Sequence, residues 1–203
     1  MSLSELWSLY GQNYIDALLA TWGMTLESFA IAMVLAVAVT VMRVSPLKPL
    51  RVFGDLYVQV FRNIPGITLL IIVVYALPPL KVVLPYRTCV IVATVLLGSA
   101  FGSENFMSGI NTVGVGQVEA ARSLGMSFSR ILAKIVIPQA LRSSVLPMTN
   151  LFIAVMLTTA LGSQVPLQPQ ELTGVVSYIN TRSLGGVAAF FISALGYLAR
   201  PLW

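Results

Sequence analysis

Across 203 residues the chain is 57% apolar and only 9% charged, with a formal net charge of +5. Soluble domains carry about 25% charged residues, so this composition is that of an integral membrane protein. The basic residues are dispersed between apolar runs rather than gathered into a patch, which argues against nucleic acid as a partner. The absence of histidine excludes Ser-His-Asp and Cys-His catalysis and any histidine-based metal site within the chain, and no metal is expected.

Residues 1 to 23 hold Glu5 and Asp16 among Trp7, Tyr10, Tyr14 and Trp22, a pattern suited to an amphipathic interfacial helix. No Lys or Arg precedes the first apolar run, unlike a cleaved signal peptide, so the first span is expected to be retained. That span, residues 24–42, supplies 19 residues, about 28 Å of helix. Its only charge, Glu27, lies one turn from the start and reads as an interfacial residue rather than a substrate contact. The linker that follows carries Arg43, Lys48, Arg51 and Arg62 against Asp55, with Pro46 and Pro49 separating it from the first span. Such a basic linker belongs on the cytoplasmic side.

A second span is expected at 64–80, with Pro65 in its first turn and Pro78-Pro79 at its end. Lys81 and Arg87 separate it from a third span at 88–106, where Gly98 and Gly102 form a small-xxx-small pair for close helix approach. Cys89 cannot make an internal disulfide and reads as a small buried hydrophobe.

Residues 116–138 interrupt the apolar pattern. Glu119 near the start of a short helix would complement its dipole, and Ala120 and Ala121 favour helix while exposing little bulk. Gly125 can end that helix in the left-handed conformation. Ser127 can then cap a second helix bearing Phe128, Ile131, Leu132, Ile135 and Val136 on one face. The resulting hairpin sets Glu119 against Arg122, Arg130, Lys134 and Arg142, a basic surplus that points to the cytoplasm. An amphipathic hairpin lying on the lipid surface is the competing reading.

Residues 143–170 are uncharged and place a fourth span at 145–165. A mixed polar stretch with Pro166 and Pro169 follows, read as an outer loop with a short helix, and a fifth span is expected at 183–200. With the N-terminus outside and the C-terminus cytoplasmic, nine basic residues, Arg43, Lys48, Arg51, Arg62, Arg122, Arg130, Lys134, Arg142 and Arg200, fall inside, and three, Lys81, Arg87 and Arg182, fall outside. No long polar stretch suggests a second domain, so residues 1–203 are expected to form a single transmembrane domain.

Glu119-Ala120-Ala121, then Gly125 after three residues, then Ile135 and Pro138, resemble the EAA loop of the membrane subunits of bacterial ABC importers. Ile137 stands where that pattern has Leu. Gly116-Gln117, Gln139-Ala140, Arg142, Pro147 and Asn150 are similar to the polar amino acid branch, and GINTVGVGQVEAARSLG looks most like permeases of the glutamate and glutamine type. Phe61, Arg62 and Pro65 match the family's elbow where the chain re-enters the membrane. Two departures stand out: Met107 where relatives often have Arg three residues after Glu104, and Leu157 where they often carry Lys. Relatives usually continue into a charged tail, whereas this sequence stops at Trp203.

The resemblance implies an all-α type I importer permease of about five spans in the bacterial cytoplasmic (inner) membrane, with the loop at 116–138 as coupling hairpin. Glu119, Ala120, Ala121, Arg122, Gly125, Ile135 and Pro138 would then engage a dimeric ABC ATPase. No G-x-x-x-x-G-K-[ST] occurs, so ATP and Mg²⁺ would be held by that partner and this chain has no catalytic residues of its own. A second permease subunit, identical or homologous, and an extracytoplasmic solute-binding protein are also implied. Candidates for the substrate pathway are Glu104, Asn105, Asn150, Thr158 and Thr159, each of which could equally satisfy a helix-helix hydrogen bond. Neither paired ionisable groups at mid-membrane nor internal repeats support an ion-coupled secondary transporter. A non-translocating structural or assembly subunit would share this hydropathy and could keep the hairpin.

Overall fold

The computed structural model describes residues 3–182 and 186–198. The chain is helical, with no β-strand among the described residues. Its first helix, α1 (Leu3–Val44), runs unbroken for 42 residues, about 63 Å. The helix expected over residues 1–23 therefore leads into the first span without a break. No proline falls before Pro46, and Gly11 and Gly23 weaken a helix without breaking it.

The basic linker is largely helical as α2 (Lys48–Asn63), with Pro49 in its first turn. Ile64 and Pro65 end it, and α3 (Gly66–Ile71) continues into a π-helical turn at Ile72–Ala76 and a 3₁₀ turn at Pro78–Leu80. Pro65 sits at the N-cap of α3 rather than inside its first turn, and its carbonyl accepts the Leu69 N–H at 3.1 Å. Next come α4 (Tyr86–Asn111), α5 (Val115–Ser123) and α6 (Phe128–Ile131). A π-helical turn at Leu132–Val136 joins α6 to α7 (Ile137–Thr158), which ends in a 3₁₀ stretch, Thr159–Gln164. Pro138 has no N–H to offer the carbonyl of Lys134, and the widened turn falls where that bond would lie. The chain closes with α8 (Leu172–Arg182) and α9 (Gly186–Leu198).

Among the described residues three helical runs, α1, α4 and Phe128–Gln164, are long and apolar enough to cross a membrane, and α2 with residues 66–80 makes a fourth if taken as one broken span. The expected fifth span begins in residues 183–185, and it and Arg200 fall partly outside the described residues. Its described portion, α9, has 13 residues, about 20 Å, short of the ~30 Å hydrocarbon core.

Two compact units can be distinguished. One gathers α1 up to Phe29, residues 65–95 and the chain from Ala154 onward. Its core joins Leu6, Tyr14 and Ala17 of α1 to Leu172, Val175, Val176 and Ile179 of α8 and Ala189 of α9. Full burial of Leu6, Leu172 and Ile179 contributes roughly 1.5–3 kcal/mol each. Apolar packing therefore outweighs the polar ties that fix the geometry: Tyr14 Oη donating to the Ala189 carbonyl at 3.0 Å, and the Leu172 N–H donating to Thr21 Oγ1 at 3.1 Å.

The other unit comprises residues 30–64 and 96–153. Here close approaches are made at Gly102 and Gly109 of α4. A Cβ on Gly102 would lie 2.9 Å from that of Ala36, and one on Gly109 would lie 2.7 Å from the Ala140 carbonyl oxygen. Ser144 Oγ reaches the Asn105 carbonyl at 3.3 Å across the same contact.

Candidate functional site

The stretch 116–138 does form a hairpin, and its details differ from a reading by pattern. α5 begins at Val115 after Gly114, with no acidic residue in its first turn. Glu119 therefore lies mid-helix, and the dipole argument for it does not hold. Gly125 adopts φ 73°, the left-handed conformation expected, and the turn is closed by Gly125 N–H to Arg122 at 2.9 Å and Met126 N–H to Ala121 at 3.1 Å. Ser127 occupies the N-cap of α6, but its hydroxyl makes no capping bond.

The two alanines face opposite ways. Ala121 is 3% exposed and packs with Val113, Ile131 and Val136, flanked by Ile110, Val118, Met126, Leu132 and Ile135, into a small core that belongs to the hairpin itself. Ala120 is exposed, together with Glu119, Arg122 and Gly125. Ala121 is thus covered by the hairpin's own core, and of the two alanines Ala120 alone is exposed. Ile135 is an inward strut, and Pro138 sits exposed in the first turn of α7. The arms are clasped by Gln139 Nε2 donating to Gln117 Oε1 at 2.7 Å.

Pattern reading missed the apolar tip. Leu124 is 82% exposed beside Gly125, with Val115 and Phe128 also uncovered. The signal was a leucine immediately before the turn glycine, at a position that cannot reach the hairpin core. The exposed face therefore alternates one apolar knob with Glu119 and Arg122, which suits a shaped protein socket better than a uniform lipid surface.

A second cluster surrounds Glu104. The arginine absent at Met107 is replaced from elsewhere in the chain: Arg43 Nη1 lies 3.1 Å and Arg62 Nη1 3.5 Å from Glu104 Oε2. Arg43 also donates through Nε to Asp55 at 2.9 Å and through Nη1 to Ser103 at 3.2 Å, and its side chain is only 11% exposed. These groups, with Gln59 and Asn63, line a polar pocket of about 340 Å³. Elbow residue Arg62 also lies over the Phe101 ring at 5.3 Å, and Phe61 packs on Tyr57 with ring centroids 4.6 Å apart. Asn105, next to Glu104, spends its amide on the Pro147 carbonyl at 3.1 Å, whereas Asn150 is exposed. In the other unit, Thr158 and Thr159 turn their hydroxyls back onto their own helix, to Ala154 and Met156 at 2.7 Å each. Of the pathway candidates, Glu104 lies among charged side chains, and the hydroxyls of Thr158 and Thr159 bond their own helix backbone.

Apolar spans, a shaped polar hairpin and a charged cluster define a helical membrane subunit. Residues 28–199 match the family described as binding-protein-dependent transport system inner membrane component, and the chain belongs to that family. It is 33% identical to the glutamate transport system permease protein of Corynebacterium efficiens, over 98% of this chain and 92% of that protein. It is 32% identical to the L-cystine transport system permease protein of Bacillus subtilis, over 93% and 81% of the two chains. A solved structure described as an amino acid ABC transporter with histidines superimposes with a TM-score of 0.90 at 25% identity, covering 98% of this chain and 91% of that one. The protein is thus an inner-membrane permease component with the all-helical type I importer fold.

Proposed function

We propose that this chain carries a polar amino acid, of the glutamate or glutamine kind, across the cytoplasmic membrane, driven through its 116–138 hairpin by a dimeric ATPase that binds ATP and Mg²⁺. The observation that carries the coupling role is the division of the hairpin into a buried Ala121 and an exposed face of Glu119, Ala120, Arg122 and Leu124. A hairpin with its own core keeps its shape while presenting that face to a socket. The cargo reading is supported by the glutamate and cystine permeases it resembles. A second permease subunit completes the pathway, and an external solute-binding protein delivers cargo. The N-terminus lies outside and the hairpin inside, supported by the placement of basic residues. Closure of the ATPase dimer draws the hairpins together and swings the spans from inward-open to outward-open.

The test is disulfide crosslinking in membranes with Cys89→Ser, Ala120→Cys and a cysteine in the groove of the co-expressed ATPase. A crosslink whose yield changes with ATP is expected from Ala120→Cys and not from Ala121→Cys. Absence of any crosslink across residues 119–125 in an assembled complex returns the hairpin to the lipid surface. Cargo is tested in proteoliposomes: ATP-dependent uptake of L-glutamate or L-glutamine is expected, and a complex that docks its ATPase but moves no amino acid is a structural subunit.

A further inference from the structure

The unit built on α1, α8 and α9 contains a polar pocket of about 270 Å³ that the hairpin and the Glu104 cluster leave unused. Asn13 and Asp16 line it from α1, Gln168 and Gln170 from the segment before α8, and Tyr178 and Arg182 from α8. We propose that this pocket binds a free polar α-amino acid, its ammonium on Asp16 and its carboxylate on Arg182, at the outer mouth of the permease. The proposal rests on the amino acid reading above and adds a site to it.

Charge comes first. Asp16 receives one hydrogen bond, from Gln12 Nε2 at 2.9 Å, and forms no ion pair among the described residues. Arg182 lies 4.3 Å over the Tyr178 ring and forms no ion pair among the described residues, so the stacking positions a guanidinium whose N–H fork can meet a carboxylate. Opposite charges thus share one cleft without neutralising each other, the complement of a zwitterion. A lipid tail or an apolar peptide finds no matching surface here. The amides of Asn13, Gln168 and Gln170 supply both donors and acceptors, which suits a side chain ending in an amide or carboxylate.

Size and rigidity agree. A volume near 270 Å³ lies just below the roughly 300–1,000 Å³ of pockets for drug-sized ligands, so the site fits a single amino acid and not a nucleotide or oligopeptide. Its walls are preformed. Tyr14 and Ala17 of α1 share a buried core with Val175 and Ile179 of α8, and the Leu172 N–H is bound to Thr21. Asp16 and Arg182 are therefore presented by helices locked at their backs, which reduces the ordering a ligand must impose.

The test uses the purified permease-ATPase complex with Cys89→Ser and Asn13→Cys, reading the rate of maleimide labelling. L-glutamine is the probe. Glutaramate, which lacks the ammonium, and 4-aminobutanamide, which lacks the carboxylate, are its controls. L-glutamine is expected to slow labelling at least tenfold at saturation, and each control to require at least tenfold higher concentration. Asp16→Asn should abolish the preference for L-glutamine over glutaramate, and Arg182→Gln its preference over 4-aminobutanamide. Ser177→Cys, exposed on α8 outside the pocket, should label at one rate throughout. No protection by L-glutamine or L-glutamate, in a complex that still takes up amino acid into proteoliposomes, overturns the pocket and leaves the transport function standing. Protection unchanged by either charge substitution, or given only by the solute-binding protein, overturns it as well. Failure of all amino acid uptake sinks the function and the pocket together.

Discussion

Two carboxylates, one in each compact unit, are accommodated in opposite ways. Glu104 keeps 41% of its side-chain surface exposed and meets two guanidinium groups. Glu171 is fully buried with no ion pair among the described residues. It caps α8, accepting the Thr173 and Gly174 N–H groups at 2.6 Å each and the Tyr197 hydroxyl at 3.1 Å. The first arrangement is electrostatic, adjustable and open to ions or ligands. The second is a fixed tie between α8 and α9, made with backbone dipoles at a helix start where negative charge is favoured. A chain with 7 acidic residues thus uses one carboxylate in a partly exposed ion-pair cluster and another as a structural pin.

The contrast is most easily broken at the pin. Glu171→Ala strips partners from buried N–H groups and is expected to lower the stability of the detergent-solubilised permease by about 2–3 kcal/mol, read by thermal unfolding. A loss no larger than that of a surface substitution would show that water takes the carboxylate's place. Next in size is Arg43→Met, which leaves Asp55 and Glu104 without their shared, largely buried cation. Loss of a buried pair's partner costs about 3–5 kcal/mol, and the partial exposure of both acids reduces this to about 2 kcal/mol. Glu104→Gln should recover part of that loss in the double variant, and strict additivity would argue that the three groups do not act as a cluster.

Acidity separates the two kinds of carboxylate further. Burial raises the Glu171 carboxyl above its ordinary 4.5, outweighing the bonds from Thr173, Gly174 and Tyr197 that pull it down. The folded chain therefore holds this proton more tightly than the unfolded one. The stabilisation is complete below the unfolded value and is lost as pH rises through the folded value. Lowering pH should shift the melting difference between the wild type and Glu171→Gln toward the wild type. A difference that stays flat, or moves the other way, would mean that the amide bonds outweigh burial. The smallest effect is expected at a third carboxylate, Glu27, paired with Arg87 at 2.7 Å where both side chains are more than 40% exposed. Glu27→Gln should change stability by less than about 1 kcal/mol, and less again in high salt.

The helical class, the spans around α1, α4 and α7, and the hairpin with its left-handed Gly125 were legible from hydropathy, charge and one short motif. Those features are local, and a few neighbouring residues decide them. What pattern reading missed depends on distant parts of the chain or on helix phase. Glu104 finds Arg43 and Arg62 across 61 and 42 positions, and no local spacing could offer them in place of Met107. Ala120 and Ala121 are chemically alike, so only the phase of α5 tells which is buried. The start of α5 at Val115 left no side-chain cap as a marker, which is why Glu119 read as terminal when it is central. Glu171, set in a polar segment between two prolines and a helix, gave every sign of a solvated loop residue. Only the packing of Leu172 and Val175 against α1 closes water out around it.

The second arm of the hairpin runs into α7 without a loop, the two joined by the π-helical turn at Leu132–Val136. Mechanically this is a stiff rod with one softened joint. In the coupling role proposed above, force applied at Leu124 would become a bending moment rather than a slack pull, and the joint, where the regular hydrogen-bond ladder is widened ahead of Pro138, is where the rod would yield first. In that proposed role, the stroke delivered to the membrane would be set by the compliance of five residues, and tightening that turn should alter how far each stroke reaches without altering how firmly the tip is held.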